Sequence, residues 1–225
     1  MSQLFELFEE NYPRLVMFDL DGTLVDSAPD IAWCVDQMLL EMGLPEAGLD
    51  NVRTWVGNGA QKLIERTLAY YDRDTGPEAV EAALDIFKNL YRNHLAELSV
   101  LYDGVEACLQ TLKDEGCILA CVTNKPVEFA GPMLDELQIA GYFEMVVGGD
   151  CLPAKKPDPM PLQHVMDTFA CMPEETLMVG DSRSDMVGAQ NAGCRSVCVT
   201  YGYNQGENMS MYEPDLMVDS LTELI

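Results

Sequence analysis

Apolar residues fall in short, nearly unbroken blocks along this chain. RLVMFDL (14–20) stands near the start, and CILACVT (117–123), FEMVVGG (143–149), TLMVGD (176–181) and SVCVTYG (196–202) follow in the second half. Blocks of this length with little polar alternation predict strands covered on both faces, as in a parallel sheet. Between the later blocks, apolar residues recur at helical spacing in GVEACLQTLKDEG (104–116), PVEFAGPMLDELQI (126–139), PMPLQHVMDTFA (159–170) and SDMVGAQNAG (184–193). In the first of these, Val105, Cys108, Leu109 and Leu112 share one face, and Gly116 supplies the C-terminal stop. The alternation predicts an α/β fold with an open, Rossmann-like parallel sheet.

One interval breaks the rhythm. From the first strand to residue 100 no strand is expected, only three helical stretches at 29–43, 58–71 and 77–98. Such a connection is far longer than a normal crossover and reads as an inserted helical cap. The expected division is an α/β core of residues 1–25 and 99–225 with a cap of residues 26–98. An insertion after the first strand sits over the carboxyl ends of the strands, where open sheets bind ligands. Trp33, Met38 and Leu39 in the first cap helix are expected to face the core; exposed, they would offer a dimer surface, so monomer and homodimer both stay open.

Composition narrows the partners. The chain has 225 residues, 38 of them acidic and 13 basic, for a formal charge of −25. With no basic stripe to neutralise phosphates, neither nucleic acid nor an anionic membrane is an expected partner. No apolar run reaches the length of a membrane span, and MSQLFELFEENYPR lacks the basic start of a secretory signal. The eight cysteines lie mostly in apolar blocks, which suits free thiols in a reducing, cytoplasmic setting. Cys117/Cys121 and Cys194/Cys198 each bracket a predicted strand, where a spacing of four separates side chains by about 13 Å, too far to share an ion. His94 and His164, the only histidines, have no cysteine at ligand spacing and read as packing or surface residues.

The chemistry-bearing residues lie where predicted strands end. MFDLD ends the first strand, VTNK the second, KKPDP follows the third, and VGDSRSD ends the fourth. A parallel sheet gathers those ends on one edge, so Asp19, Asp21, Thr123, Asn124, Lys156, Asp181 and Asp185 should converge. Taken singly, each fits a turn, a helix cap or a solvated lysine. Together, several carboxylates repel one another unless a cation sits among them. Oxygen ligands without histidine or cysteine suit Mg2+, which normally works with a phosphate. Lys156, the Thr123 hydroxyl and backbone amides of the DLDGT turn would meet that phosphate. In the cap, WVGNGAQK has Gly57 and Gly59 but Lys62 where a dinucleotide fingerprint needs its third glycine. It reads better as a substrate loop in which Gly57 and Asn58 lead into a helix capped by Asn58, with Arg53 a candidate for a substrate carboxylate.

The set DLDGTLVDS, TNK, KKPDP and VGDSRSD resembles the four motifs of the haloacid-dehalogenase superfamily, over about residues 15–202. FDLDGTLVDSAPDIA, RTWVGNGAQKLIERTL and VGDSRSDMVGAQNAG are similar to the bacterial phosphoglycolate phosphatases within it, although Asp103 stands where that group suggests proline. The resemblance implies hydrolysis of a small phosphorylated metabolite, 2-phosphoglycolate, or alternatively a sugar phosphate such as N-acetylmuramic acid 6-phosphate, or a nucleotide. A binding module that keeps the fold without the chemistry is the non-enzyme alternative. The resemblance further implies Asp19 as nucleophile and Asp21 as acid and base, with Thr123, Asn124 and Lys156 on the phosphoryl group. It implies Mg2+ held by Asp19 and Asp181, by the backbone carbonyl of Asp21, and by Asp185 directly or through water.

Overall fold

The structure, a computed structural model, describes residues 2–225. In chain order the elements are α1 (Gln3–Leu7), β1 (Leu15–Phe18), β2 (Val25–Asp26), α2 (Ala28–Glu41), α3 (Leu49–Trp55), α4 (Ala60–Tyr70) and α5 (Pro77–Asn93). They continue as β3 (Val100–Leu101), α6 (Val105–Asp114), β4 (Ile118–Val122), α7 (Val127–Glu136), β5 (Met145–Val147) and α8 (Met160–Phe169). Last come β6 (Thr176–Gly180), α9 (Arg183–Ala192), β7 (Arg195–Val199) and β8 (Leu216–Val218).

Six of the strands form one sheet in the order β5-β4-β1-β6-β7-β8, with every pairing parallel. The central strand β1 explains the unbroken apolar blocks. Val16 and Phe18 pack into one apolar cluster, and Leu15 and Met17 into another on the opposite face, all fully buried. Successive side chains alternate faces, so a strand covered on both must be apolar at every position. One cluster runs on without interruption into the helical insertion through Ile31, Leu63, Phe87 and Tyr91. In that insertion, α2 packs on α3 and α5, and α4 packs on α3 and α5.

The expected parallel sheet is observed with a sixth strand, β8, that no apolar block predicted, and with four further differences in detail. Val25–Asp26 and Val100–Leu101 form an antiparallel two-strand ribbon, where no strand was expected before residue 100. Two-residue strands carry no readable period. The insertion holds four helices rather than three, because the seven-residue α3 is too short to show one. The third expected helix ends at Asn93 instead of residue 98. Trp33 is exposed while Met38 and Leu39 are buried. At 100° per residue, position 33 lies about 140° around the helix from 38, off the buried face. Trp33 stacks instead on His94, with ring centroids 3.9 Å apart.

The ribbon is the double passage between the sheet and the insertion, and Asp30 fastens it. This fully buried carboxylate on α2 accepts from the backbone amides of Leu98 (2.9 Å) and Ser99 (2.7 Å) and from the Ser99 hydroxyl. Removing it strands backbone donors in the interior. Asp30→Ala is expected to cost about 2–4 kcal/mol and to lower the melting temperature by roughly 5–15 °C, read by thermal unfolding. Asp30→Asn, which keeps one acceptor oxygen, should lose less.

Candidate active site

The ladder itself aims the first residues of the site. Asp19 directly follows β1 and its N–H still donates to Val179 O (2.9 Å); Thr123 directly follows β4 and donates to Val147 O (2.9 Å). Asp181 follows β6, and Lys156 lies in the loop after β5. Because β5, β4, β1 and β6 are neighbours, these four ends share one stretch of the sheet edge. Two loops then close on Asp181 so tightly that only glycine fits. A Cβ on Gly22, which has φ 87°, would come within 2.3 Å of Asp181 Oδ2, and one on Gly202 within 2.3 Å of Asp181 Cβ.

Asp19, Asp181 and Asp185 are buried, and one ligand oxygen from each lies within 4.8 Å of the others. Lys156 supplies the local positive charge. Its Nζ is 3.1 Å from Asp19 Oδ1 and 2.6 Å from Asp185 Oδ1, and it also donates to Val122 O, so its three protons are spent. Asp19 Oδ1 further accepts from Leu20 N (2.7 Å), while Oδ2 has no donor among the described residues. Asp185 Oδ2 takes the Ser182 amide and hydroxyl. Asp181 accepts from Thr23 Oγ1 (3.2 Å) and from Tyr203 N. Burial raises the Asp19 pKa to about 6, against the pull of Lys156 and with the push of Asp185. Burial, then Asp185 and Asp19, pushes Asp181 well above the carboxylate range. Burial alone would depress Lys156, but Asp185 and Asp19 outweigh it and raise it. A site with three crowded, dehydrated carboxylates and a free oxygen is short of positive charge. Its all-oxygen donor set fits a hard divalent cation.

Asp21 stands apart from that cluster. Its carboxylate accepts from Ser27 Oγ (2.5 Å) and from Lys125 Nζ at 3.0 and 3.2 Å. Lys125 also donates to the hydroxyl of Tyr91 (2.7 Å), which arrives from α5 in the insertion. Asp19, Asp21, Thr123, Asn124, Lys125 and Tyr91 all line one cavity between the sheet edge and the insertion. Ile31, Leu63, Phe87 and Phe129 form its apolar wall. About 40 Å³ is open to water centres, where one water needs roughly 10–15 Å³. Thr123 Oγ1 accepts from Lys125 N (3.2 Å) and keeps its own proton free. Both amide protons of Asn124 go to carbonyls, of Gly57 (3.3 Å) and Lys156 (3.0 Å), and its buried Oδ1 has no partner among the described residues.

Lys125, Tyr91 and Ser27 escaped the sequence reading. Lys125 was within reach, since it directly follows Asn124 at the same strand end. Tyr91 reads only as one more apolar position of α5.

The candidate cap residues divide. Gly57 lines the cavity, but Arg53 and Asn58 do not. Arg53 pairs with Asp26 (3.1 Å) and lies over the Tyr203 ring, 5.3 Å from its centroid. Asn58 does not cap α4; Gly59, with φ 85°, occupies that position without a side-chain bond. The Asn58 amide is drawn to the seam instead. It donates to Ser184 Oγ (3.1 Å) and accepts from Arg66 Nη2 (2.5 Å) and Gln205 Nε2 (3.1 Å), while its carbonyl accepts from Lys155 Nζ (2.9 Å).

Comparisons with known proteins agree with this geometry. Residues 16–199 match the family described as haloacid dehalogenase-like hydrolase. A phosphoglycolate phosphatase from Pseudomonas putida is 48% identical over 228 residues, covering 100% of this chain and 83% of that one. A phosphoglycolate phosphatase from Nitrosococcus oceani is 44% identical over 213 residues, covering 94% and 95%. A crystal structure described as a predicted phosphoglycolate phosphatase from Haemophilus somnus superposes with a TM-score of 0.89 at 36% identity, covering 94% of this chain and 96% of that one.

A divalent cation should therefore stabilise the fold. At about a hundredfold over its dissociation constant it should add about 2.7 kcal/mol, raising the melting temperature by roughly 5–10 °C. Asp181→Asn, and Gly202→Ala by displacing Asp181, should abolish that shift. The pH effect has the opposite sign from that of an ordinary paired carboxylate. A carboxyl raised from 3.8 to about 6 on folding binds more protons in the folded state, so it destabilises above pH 6. In metal-free protein, stability relative to Asp19→Asn should rise as pH falls from about 7 to 5, in denaturant titrations.

Proposed function

Because the chain belongs to the haloacid dehalogenase-like hydrolase family, we propose that it is a magnesium-dependent phosphatase converting 2-phosphoglycolate to glycolate and phosphate. The observation that carries this reading is Asp19. One of its oxygens is pinned by Leu20 N and Lys156, and the other is free beside the cavity.

In the first step the free oxygen of Asp19 attacks phosphorus, forming an Asp19–phosphorus bond as the bond to the ester oxygen breaks. Asp21, protonated for this step, gives its proton to the departing oxygen. In the second step Asp21 takes a proton from water, whose oxygen attacks the phosphorus of the aspartyl-phosphate and releases phosphate and Asp19. Thr123 donates a hydrogen bond from its free hydroxyl to a phosphoryl oxygen, and Lys156 lends its charge from beside Asp19. Asn124 has no side-chain proton to spare, so donation from this residue falls to its backbone N–H. Bound magnesium, held by Asp19, Asp181 and the Asp21 carbonyl, with Asp185 acting directly or through water, would neutralise charge on the transferring group. Both Asp185 oxygens already have protein donors, which favours the indirect arrangement.

The apolar part of the cavity wall supports a small substrate: Ile31, Leu63, Phe87 and Phe129 offer no partners to sugar hydroxyls lying against them, and a buried hydroxyl without a partner is costly. The names carried by the relatives support the same choice.

A kinetic panel over 2-phosphoglycolate, N-acetylmuramic acid 6-phosphate, other sugar phosphates and nucleotides, with magnesium present or chelated, tests this. Expected are loss of activity on chelation and kcat/KM at least tenfold higher for 2-phosphoglycolate, about 1.4 kcal/mol of discrimination. Asp19→Asn should lower kcat by at least about a thousandfold and Asp21→Asn by about 10²–10⁴. Equal rates across the panel would overturn the substrate, and an active Asp19→Asn the nucleophile.

A further inference from the structure

Lys125 is the one cation among the side chains that line the cavity. It is buried, and its ammonium is not fully used. One proton is shared between the two oxygens of Asp21, and a second goes to Tyr91 Oη. The third has no acceptor among the described residues. Tyr91 is in the same position: its hydroxyl accepts from Lys125, and its own proton has no acceptor among them. Burial, then the carboxylates of Asp21 and Asp30, raises the Tyr91 phenol well above its usual pKa, so that proton stays in place. Two donors 2.7 Å apart, each with a proton to give, border the cavity beside its apolar wall of Ile31, Leu63, Phe87 and Phe129.

We propose that Lys125 and Tyr91 together form the receptor for the carboxylate of the substrate. The inference rests on the 2-phosphoglycolate reading above. In that molecule the carboxylate carbon lies two bonds beyond the ester oxygen. Asp21 serves the ester oxygen, and Lys125 Nζ is 3.0 Å from Asp21 Oδ1, so the ammonium stands where the tail of the substrate must lie. Charge points the same way. Asp19 and Asp21 border the cavity, and an anionic tail can enter only against a cation with a proton still to give. Lys156 has spent all three protons and Arg53 lies outside with Asp26; Lys125, although paired with Asp21, keeps its third proton free. The pair also joins the two parts of the fold, since Lys125 comes from the sheet edge and Tyr91 from α5. A bound carboxylate therefore bridges them, and its recognition is coupled to holding the insertion over the site.

The test compares 2-phosphoglycolate with 2-hydroxyethyl phosphate, which replaces the carboxylate by a neutral hydroxymethyl group. Both are assayed with wild type, Lys125→Met and Tyr91→Phe. Wild type should prefer the carboxylate, and 2-aminoethyl phosphate, with an ammonium in its place, should rank below both. Lys125→Met should lose at least thirtyfold more kcat/KM on 2-phosphoglycolate than on 2-hydroxyethyl phosphate, about 2 kcal/mol of selectivity. Tyr91→Phe, which removes one oxygen from a packed ring, should lose about five- to tenfold more, chiefly as a raised KM. Activity remaining on the neutral ester reports that each variant is folded. Equal losses on both esters in a wild-type enzyme that prefers the carboxylate would overturn the receptor and leave the phosphatase reading intact. A wild type indifferent to the tail would overturn the substrate reading and the receptor with it.

Discussion

Lys156 sits between Asp19 and Asp185 with all three groups out of water, and the rest of the site is arranged around that contact. Dehydrating one carboxylate is expensive, and crowding three is worse. A single ammonium holds Asp19 by one oxygen and leaves the other bare, while Asp185 is also restrained by Ser182. Asp181 has no such lysine and is held only by Thr23, the Tyr203 amide and the glycines that let two backbones close on it. With three carboxylates against one ammonium the cluster is two positive charges short, which suits an all-oxygen site able to hold a divalent cation.

The sheet makes this crowding repeatable. Asp19 and Thr123 are still bonded into the ladder by their own amides, so the strands that fill both faces of the core also fix the positions from which these side chains leave. The insertion is joined to the same edge by different means. Asp30 fastens the double passage, and Asn58 collects Ser184, Gln205 and Lys155 of the core around one cap residue. The Asn58 contacts are polar and half-buried, and they lie beside the apolar cluster that continues from the sheet into the insertion through Ile31, Leu63, Phe87 and Tyr91.

The residues that sequence alone could identify were those with a local signature. Asp19, Thr123 and Asp181 each directly follow a strand whose apolar block is plain, Asp21 lies two residues beyond Asp19, and Lys156 lies in the loop after another strand, so parallel order alone predicts that they share one edge. The Val25–Asp26 and Val100–Leu101 ribbon and the short α3 are too brief to carry a period. Asn58 looked like a cap because its residue type and place fit one, but three long-range partners and Arg66 outweigh a single local bond. Arg53 looked available for a substrate until Asp26 and the Tyr203 ring, distant in chain or contact, took it up. Lys125 shows the converse: its role depends on Tyr91, thirty-four residues away, and that pairing leaves no trace in either local pattern.

The proposed mechanism turns on Asp19 as the group that takes the phosphoryl. Acid-quenched single-turnover reactions with labelled substrate, followed by peptide mapping, test this most directly. The prediction is a transient acyl-phosphate on the peptide carrying Asp19, forming before free phosphate and decaying as phosphate appears. Free phosphate appearing with no labelled protein at any time, or label on another residue, would contradict it.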